Sequence, residues 1–250
     1  MPELTAWAWA ALTLGALVVG LSKAALPGGG TLAAALFALA LPAKASTGTL
    51  LVLLILGDLF AVWAYRRHAD LAVLRRLVPT VLGGVVLGAL FMAMASDALV
   101  RRVIAVILLA LIAVTLWRRY GPGSHARAEA GGRPRRGAAA VYGALGGFTT
   151  MVANAGGPVM SMYFLAMRLE VWAFLGTSAW FFFVVNLVKV PFSVGLGLIT
   201  ADSLAINAVL APVVIAGALA GRRLAAHMDQ AVFEKLVIAL TLVSAVNMLL

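Results

Sequence analysis

The chain is 250 residues long, 64% hydrophobic and only 11% charged, whereas soluble domains carry about a quarter charged residues, so an ordinary soluble fold is excluded. The formal charge of +10 does not mark a nucleic-acid partner, because the arginines sit in short loops between apolar runs, as they do in membrane proteins. The absence of cysteine excludes disulfides, thiol catalysis and Cys-based metal sites.

The first residues, MPELTAW, show neither a basic region nor a small-residue cleavage site, so the first apolar run reads as a retained helix. Apolar runs at 5–22 and 31–43 flank the segment GLSKAALPGGGT, and runs at 46–65, 77–95 and 102–117 follow. Residues 118–137 are rich in Gly and Arg and lack apolar periodicity, which predicts a flexible loop. The second half repeats the plan. Runs at 138–153 and 158–167 flank GGFTTMVANAGGPVM, followed by 171–198, 203–221 and 233–250. The chain thus divides into a first transmembrane repeat (1–117), a basic linker (118–137) and a second transmembrane repeat (138–250).

Residue correspondences support the repeat. Gly28-Gly29 aligns with Gly156-Gly157, Thr47-Gly48-Thr49 with Gly176-Thr177-Ser178, and Asp58 with Asn186. Further along, Asp70 aligns with Asp202, Pro79 with Pro212, and Ser96-Asp97 with Met228-Asp229. The runs 31–43 and 158–167 amount to about 20 Å and 15 Å of helix at ~1.5 Å per residue, short of the ~30 Å hydrocarbon core. Each half therefore reads as a broken, re-entrant helical hairpin (5–43 and 138–167) plus three spans. That is an odd number of crossings, so the two repeats are expected to be inverted.

Orientation follows from the basic residues. With the linker cytoplasmic, Arg66, Arg67, Arg75, Arg76, Arg168, Arg222, Arg223 and Lys235 also lie inside, while Lys44, Arg101 and Arg102 lie outside. Both termini are then extracytoplasmic, and Lys23 and Lys189 sit at membrane depth.

Irregular backbone at membrane depth is tolerated only where protein buries it or where it lines a cavity, and paired breaks in two halves point to a transporter's binding site. The short helices starting at Thr31 and Val159 present N–H groups with no intrahelical partner, and with the helix dipole these form an anion site. The substrate-binding set is Ser22, Lys23, Gly28, Gly29, Gly30 and Thr31 from the first break, with Asn154, Gly156, Gly157, Pro158 and Val159 from the second. Pro27 and Pro158 stiffen the turns. An ammonium in the bilayer marks function by default, so Lys23 is the expected positive charge for an anion, with the Asn154 amide as a second donor. The competing readings are tight helix crossing for the glycines and snorkelling for Lys23.

Asp58 lies inside an apolar run, and Lys189 follows Asn186 by one turn on the same face. An Asp58–Lys189 pair across the bundle is the expected arrangement, with a proton site at Asp58 as the alternative. Thr47, Thr49, Thr177 and Ser178 supply hydroxyls near helix starts or act as caps. The run Trp180-Phe181-Phe182-Phe183 reads as lipid-facing or packing bulk, and Trp7, Trp9, Trp63, Tyr65, Trp117 and Tyr120 as interfacial anchors. His68, His125 and His227 are scattered; no metal site and no cofactor is expected.

On GLSKAALPGGG and GGFTTMVANAGGP, together with the repeat and the basic central loop, essentially the whole chain resembles the TauE/SafE family of sulfite exporters and 4-toluene-sulfonate uptake permeases. The resemblance implies a secondary transporter of sulfur-containing anions in the bacterial inner membrane. The partners expected are a small anionic substrate, the lipid bilayer and a proton or another coupling ion, with oligomeric state left open. Alternatives are an anion channel, or a carrier of a non-sulfur anion such as a carboxylate, on the same scaffold. The sequence carries no Ser/His dyad, HExxH or paired membrane aspartates, so no enzyme is expected.

Overall fold

The computed structural model describes residues 4–25, 30–96, 98–99 and 136–227, with single positions at 229, 232, 235 and 239. Within these the protein is all-α. In chain order the helices are α1 (Ala6–Ala24), α2 (Gly30–Ala40), α3 (Ala43–Tyr65), α4 (Leu71–Met94), α5 (Arg136–Ala153), α6 (Gly156–Ala166), α7 (Val171–Gly195) and α8 (Ala201–Ala226). Five of them, α1, α3, α4, α7 and α8, are long and apolar enough to cross a membrane, which makes this a multi-pass membrane protein. The expected spans at 102–117 and 233–250, most of the linker, and Gly28, Gly29, Asp97 and Met228 lie outside the described residues.

Local chemistry places the helix starts. The Thr5 hydroxyl accepts from the Ala8 N–H at 3.2 Å and opens α1. Asp70 accepts from Ala72 and Val73 at 3.0 and 3.1 Å and caps α4. As a result α4 begins six residues before the apolar run does, and Arg75 and Arg76 ride on its first turns rather than in a loop. Thr200 and Ser203 form a reciprocal capping box at α8, and Asp202, the counterpart of Asp70, sits inside the first turn instead of capping.

The short runs are short helices, 11 residues each for α2 and α6, or about 16 Å. α1, by contrast, is 19 residues and long enough to cross unaided. The first hairpin is therefore a full-length helix with a short one packed back on it, α2 lying against α1 and α6 against α5.

α1 lies against α8 of the other half, α5 lies against α4, and α3 packs on α7 between them. Glycines make the two crossings possible. A Cβ on Gly20 would stand 2.6 Å from the Ala218 N, and one on Gly217 2.5 Å from the Leu17 O. At the second crossing a Cβ on Gly84 would stand 2.9 Å from the Phe148 N, and one on Gly147 3.0 Å from the Val85 N. Backbones this close are the packing that small residues allow between helices in a membrane. Tyr65, read from sequence as an interfacial anchor, is instead buried, and its hydroxyl donates to the Ala24 carbonyl at 2.7 Å, tying α3 to the end of α1. Trp7 and Trp63 are exposed, whereas Trp9, read in the same way, is partly buried against the core around α1.

Gly83 and Gly84 offer an internally controlled test, since a Cβ on Gly83 meets nothing within 4 Å. Gly84→Ala should lower stability by about 1–3 kcal/mol through overpacking, while Gly83→Ala should leave it unchanged or raised. Thermal unfolding of the two purified variants checks this, and equal behaviour would refute the crossing.

Candidate functional site

Helix starts beside the two glycine-rich segments meet at one place. Gly30, the first residue of α2, and Gly157, in the first turn of α6, both line one small cavity of about 30 Å³, room for one or two water-sized molecules. Of the other residues expected at the site, Ser22, Lys23, Asp58, Asn154, Ser178 and Asn186 also line it. Thr31, Pro158 and Val159 are buried in the first turns of their helices without lining the cavity. Gly156 likewise stands back: a Cβ there would lie 2.8 Å from the Thr150 Cβ, so glycine is required by close approach.

The second break is made by Asn154 rather than by the glycines. Asn154 adopts a φ of 55°, the left-handed region that Asn tolerates better than most residues. α6 accordingly starts at Gly156, three residues before the expected start at Val159.

Charge is arranged differently from the sequence expectation. Asp58 pairs with Lys23, not Lys189: Lys23 Nζ lies 2.7 Å from Asp58 Oδ1, and the carboxylate is fully buried. The other carboxylate oxygen, Oδ2, accepts from Asn186 Nδ2 at 2.7 Å. Lys189 is fully buried as well, and its ammonium donates to three neutral oxygens: Asn154 Oδ1 at 2.5 Å, Asn186 Oδ1 at 3.2 Å and Thr150 Oγ1 at 3.4 Å. Asn186 therefore bridges Asp58 to Lys189. Lys23 additionally sits 4.6 Å from the centroid of the Phe182 ring, a cation–π contact that holds the ammonium at the cavity wall rather than letting it snorkel away.

The Asn154 amide is not a free donor for an anion, because its Nδ2 donates to the Thr47 carbonyl at 3.0 Å while its oxygen receives Lys189. The hydroxyl set divides as well. Thr49 bonds back to the Ala45 carbonyl at 2.8 Å, and Thr177 accepts from the Asp70 N–H at 2.9 Å; neither lines the cavity, nor does Thr47. Ser178 is the exception: it is buried, its Oγ has no hydrogen-bond partner among the described residues, and it faces the cavity. A buried hydroxyl left without a partner costs about 1–3 kcal/mol, and a ligand in the cavity would satisfy it.

Sequence reasoning missed Leu54, Thr150, Ala179 and Phe182. The repeat carried a usable signal for three of them. Asp58 and Asn186 are 128 positions apart, the pairs Ser22–Thr150 and Leu54–Phe182 share that spacing, and all six residues line the cavity. Phe182, taken as packing bulk, is thus a wall of the site.

Asn186 and Asn207 make opposite predictions for the same substitution. Asn207 is buried in α8 with both side-chain polar atoms unpartnered among the described residues. Asn207→Leu should therefore leave thermal stability unchanged or raise it, whereas Asn186→Leu should lower it by about 3 kcal/mol, because two charged groups each lose a hydrogen bond. Unfolding midpoints in detergent compare them directly.

A comparison with protein-family models matches residues 12–248 to the sulfite exporter TauE/SafE family. Neither the curated proteins nor the solved structures contain a match. With nearly the whole chain covered by that model, and with five apolar helices of spanning length around a buried charged cavity, the protein belongs to the sulfite exporter TauE/SafE family of membrane transporters.

Proposed function

We propose that this protein is a secondary transporter that exports a small anion, a sulfur oxyanion or sulfonate, across the bacterial inner membrane by alternating access around the α2–α6 cavity. One observation carries the reading: at that cavity two helix starts meet the Lys23–Asp58 pair, with the fully buried Lys189 behind the wall and a hydroxyl that has no partner among the described residues. Helix starts favour negative charge, the uncompensated ammonium favours it further, and Ser178 supplies a neutral donor. The family assignment supports the sulfur chemistry and the outward direction.

In this reading the repeats are inverted, the termini face the extracytoplasmic side and the basic linker faces the cytoplasm. The exchanged packing of α1 on α8 and α5 on α4 supports paired halves that move against each other. The anion approaches Lys23 from the cavity, with the backbone N–H groups at the starts of α2 and α6 around it and Phe182 as the apolar wall.

The test is uptake of sulfite into proteoliposomes loaded with purified protein. Saturable flux supports a carrier, current that follows voltage linearly indicates a channel, and competition by carboxylates but not by sulfonates moves the substrate out of the sulfur class. Ser178→Ala, which removes no bond within the described structure, should weaken sulfite about tenfold, equivalent to ~1.4 kcal/mol, with an unchanged melting curve in the absence of anion. Unaltered affinity would remove Ser178 from the site.

A further inference from the structure

The buried charges do not balance. Among the described residues, Lys23 and Asp58 cancel at 2.7 Å, and Lys189, fully buried, has only the neutral oxygens of Asn154, Asn186 and Thr150 around its ammonium. All three of those acceptors line the cavity, so Lys189 sits one layer behind the wall. A buried charge without a counter-charge is costly. With Lys189 protonated the set lacks one negative charge, and the cavity is the place where it can be supplied.

We propose that the site selects anions carrying a single negative charge, and that Asp58 sets this limit. The inference rests on the anion-transport reading and deepens it by fixing the charge of the substrate. One monoanion brings the group of Lys23, Lys189, Asp58 and ligand to neutrality. A dianion leaves a net negative charge beside a carboxylate that already occupies the nearest ammonium, and like charges brought together in a desolvated site are strongly disfavoured.

Among the described residues, no other counter-charge faces the set to absorb the excess. Asp58 is faced by Lys23 from α1 and by Asn186 and Lys189 from α7. α2 carries no titratable residue, and α8 carries its charges, Asp202, Arg222 and Arg223, near its ends, with Arg222 stacked on Trp63 at 5.0 Å. A weak diprotic acid consequently binds in its singly protonated form, and its proton travels with it. Transport of such an acid then depends on pH through the substrate.

Methanesulfonate and sulfate are suitable probes, since both are tetrahedral sulfur oxyanions with fixed charges of one and two at pH 6. In titrations of the purified full-length protein followed by thermal unfolding, methanesulfonate should bind at least tenfold more tightly than sulfate. Asp58→Asn raises the net charge of the set by one, and the preference should shrink at least tenfold or invert toward sulfate. The double variant Lys23→Gln/Asp58→Asn restores the original net charge, so the preference for methanesulfonate should return. Equal or tighter sulfate binding by the wild type, or an unchanged ratio in Asp58→Asn, overturns the proposal.

Should Asp58→Asn fail to fold, Lys189→Gln carries the test: it removes the uncompensated charge, and methanesulfonate affinity should fall at least tenfold, with unchanged affinity refuting the charge count. If sulfite binds but neither probe does, affinity for sulfite must fall as pH rises through its second ionisation, and a flat or rising profile overturns the proposal. If none of the three anions stabilises the wild type, the anion-transport reading fails, and this inference fails with it.

Discussion

The burial of Asp58 is the constraint around which the centre of this protein is organised. A carboxylate at zero exposure inside a spanning helix persists only with a counter-charge and full hydrogen bonding. Lys23 supplies the charge from α1 and Asn186 supplies a donor from α7, so three helices from both halves are held at one point. Asn186 then passes its oxygen to Lys189, which draws in Asn154 and Thr150 from α5 and its end. Through Asn154 the network reaches the Thr47 carbonyl on α3. The same hydrogen bonds that make the charges tolerable also fix where the second break turns and where α6 begins.

The Asp58–Asn186 contact joins equivalent positions of the two repeats, which places it where the halves meet. Two carboxylates there would repel at hydrogen-bond distance. An aspartate facing an asparagine has nearly the same shape but supplies one acceptor and one donor, so the halves can approach. The lysines break the likeness in the same way: Lys23 belongs to the first half and Lys189 to the second, at positions that do not correspond. The charge pattern is thus one-sided with respect to the sequence repeat. The backbone parts of the site are shared between the halves, while each charged group comes from one half only.

Around this centre the glycine crossings do mechanical work of a different kind. Gly20 with Gly217, and Gly84 with Gly147, bring backbones of opposite halves into contact. Interfaces of small residues lack interlocking side chains, so what fixes the halves is close van der Waals contact together with the central polar network. A ligand that competes for Lys23 would act on the network directly and leave the crossings intact.

Much of this was legible in sequence because it depends on composition and order. Apolar run lengths identified α3, α4, α7 and α8 as spanning helices and α2 and α6 as short ones, since the thickness of a bilayer sets the length a helix must have. They read α1 as one arm of a re-entrant hairpin, although it is long enough to cross. The repeat aligned Asp58 with Asn186, and paired breaks pointed to one site, where Gly30 and Gly157 indeed open on a common cavity. Pairing among the charges was not legible. Lys23 and Lys189 both lay within plausible reach of Asp58, and only the packing of α1 against α3 decided between them. The orphaned hydroxyl of Ser178, the committed amide of Asn154 and the wall made by Phe182 were equally hidden, because each depends on which side of a helix faces its neighbours in a chain that is apolar on every face. Sequence therefore determined which residues enter the membrane and in what order. Tertiary structure alone decided which of them touch, because contacts between helices are set by close packing at a few glycines rather than by any periodicity along the chain.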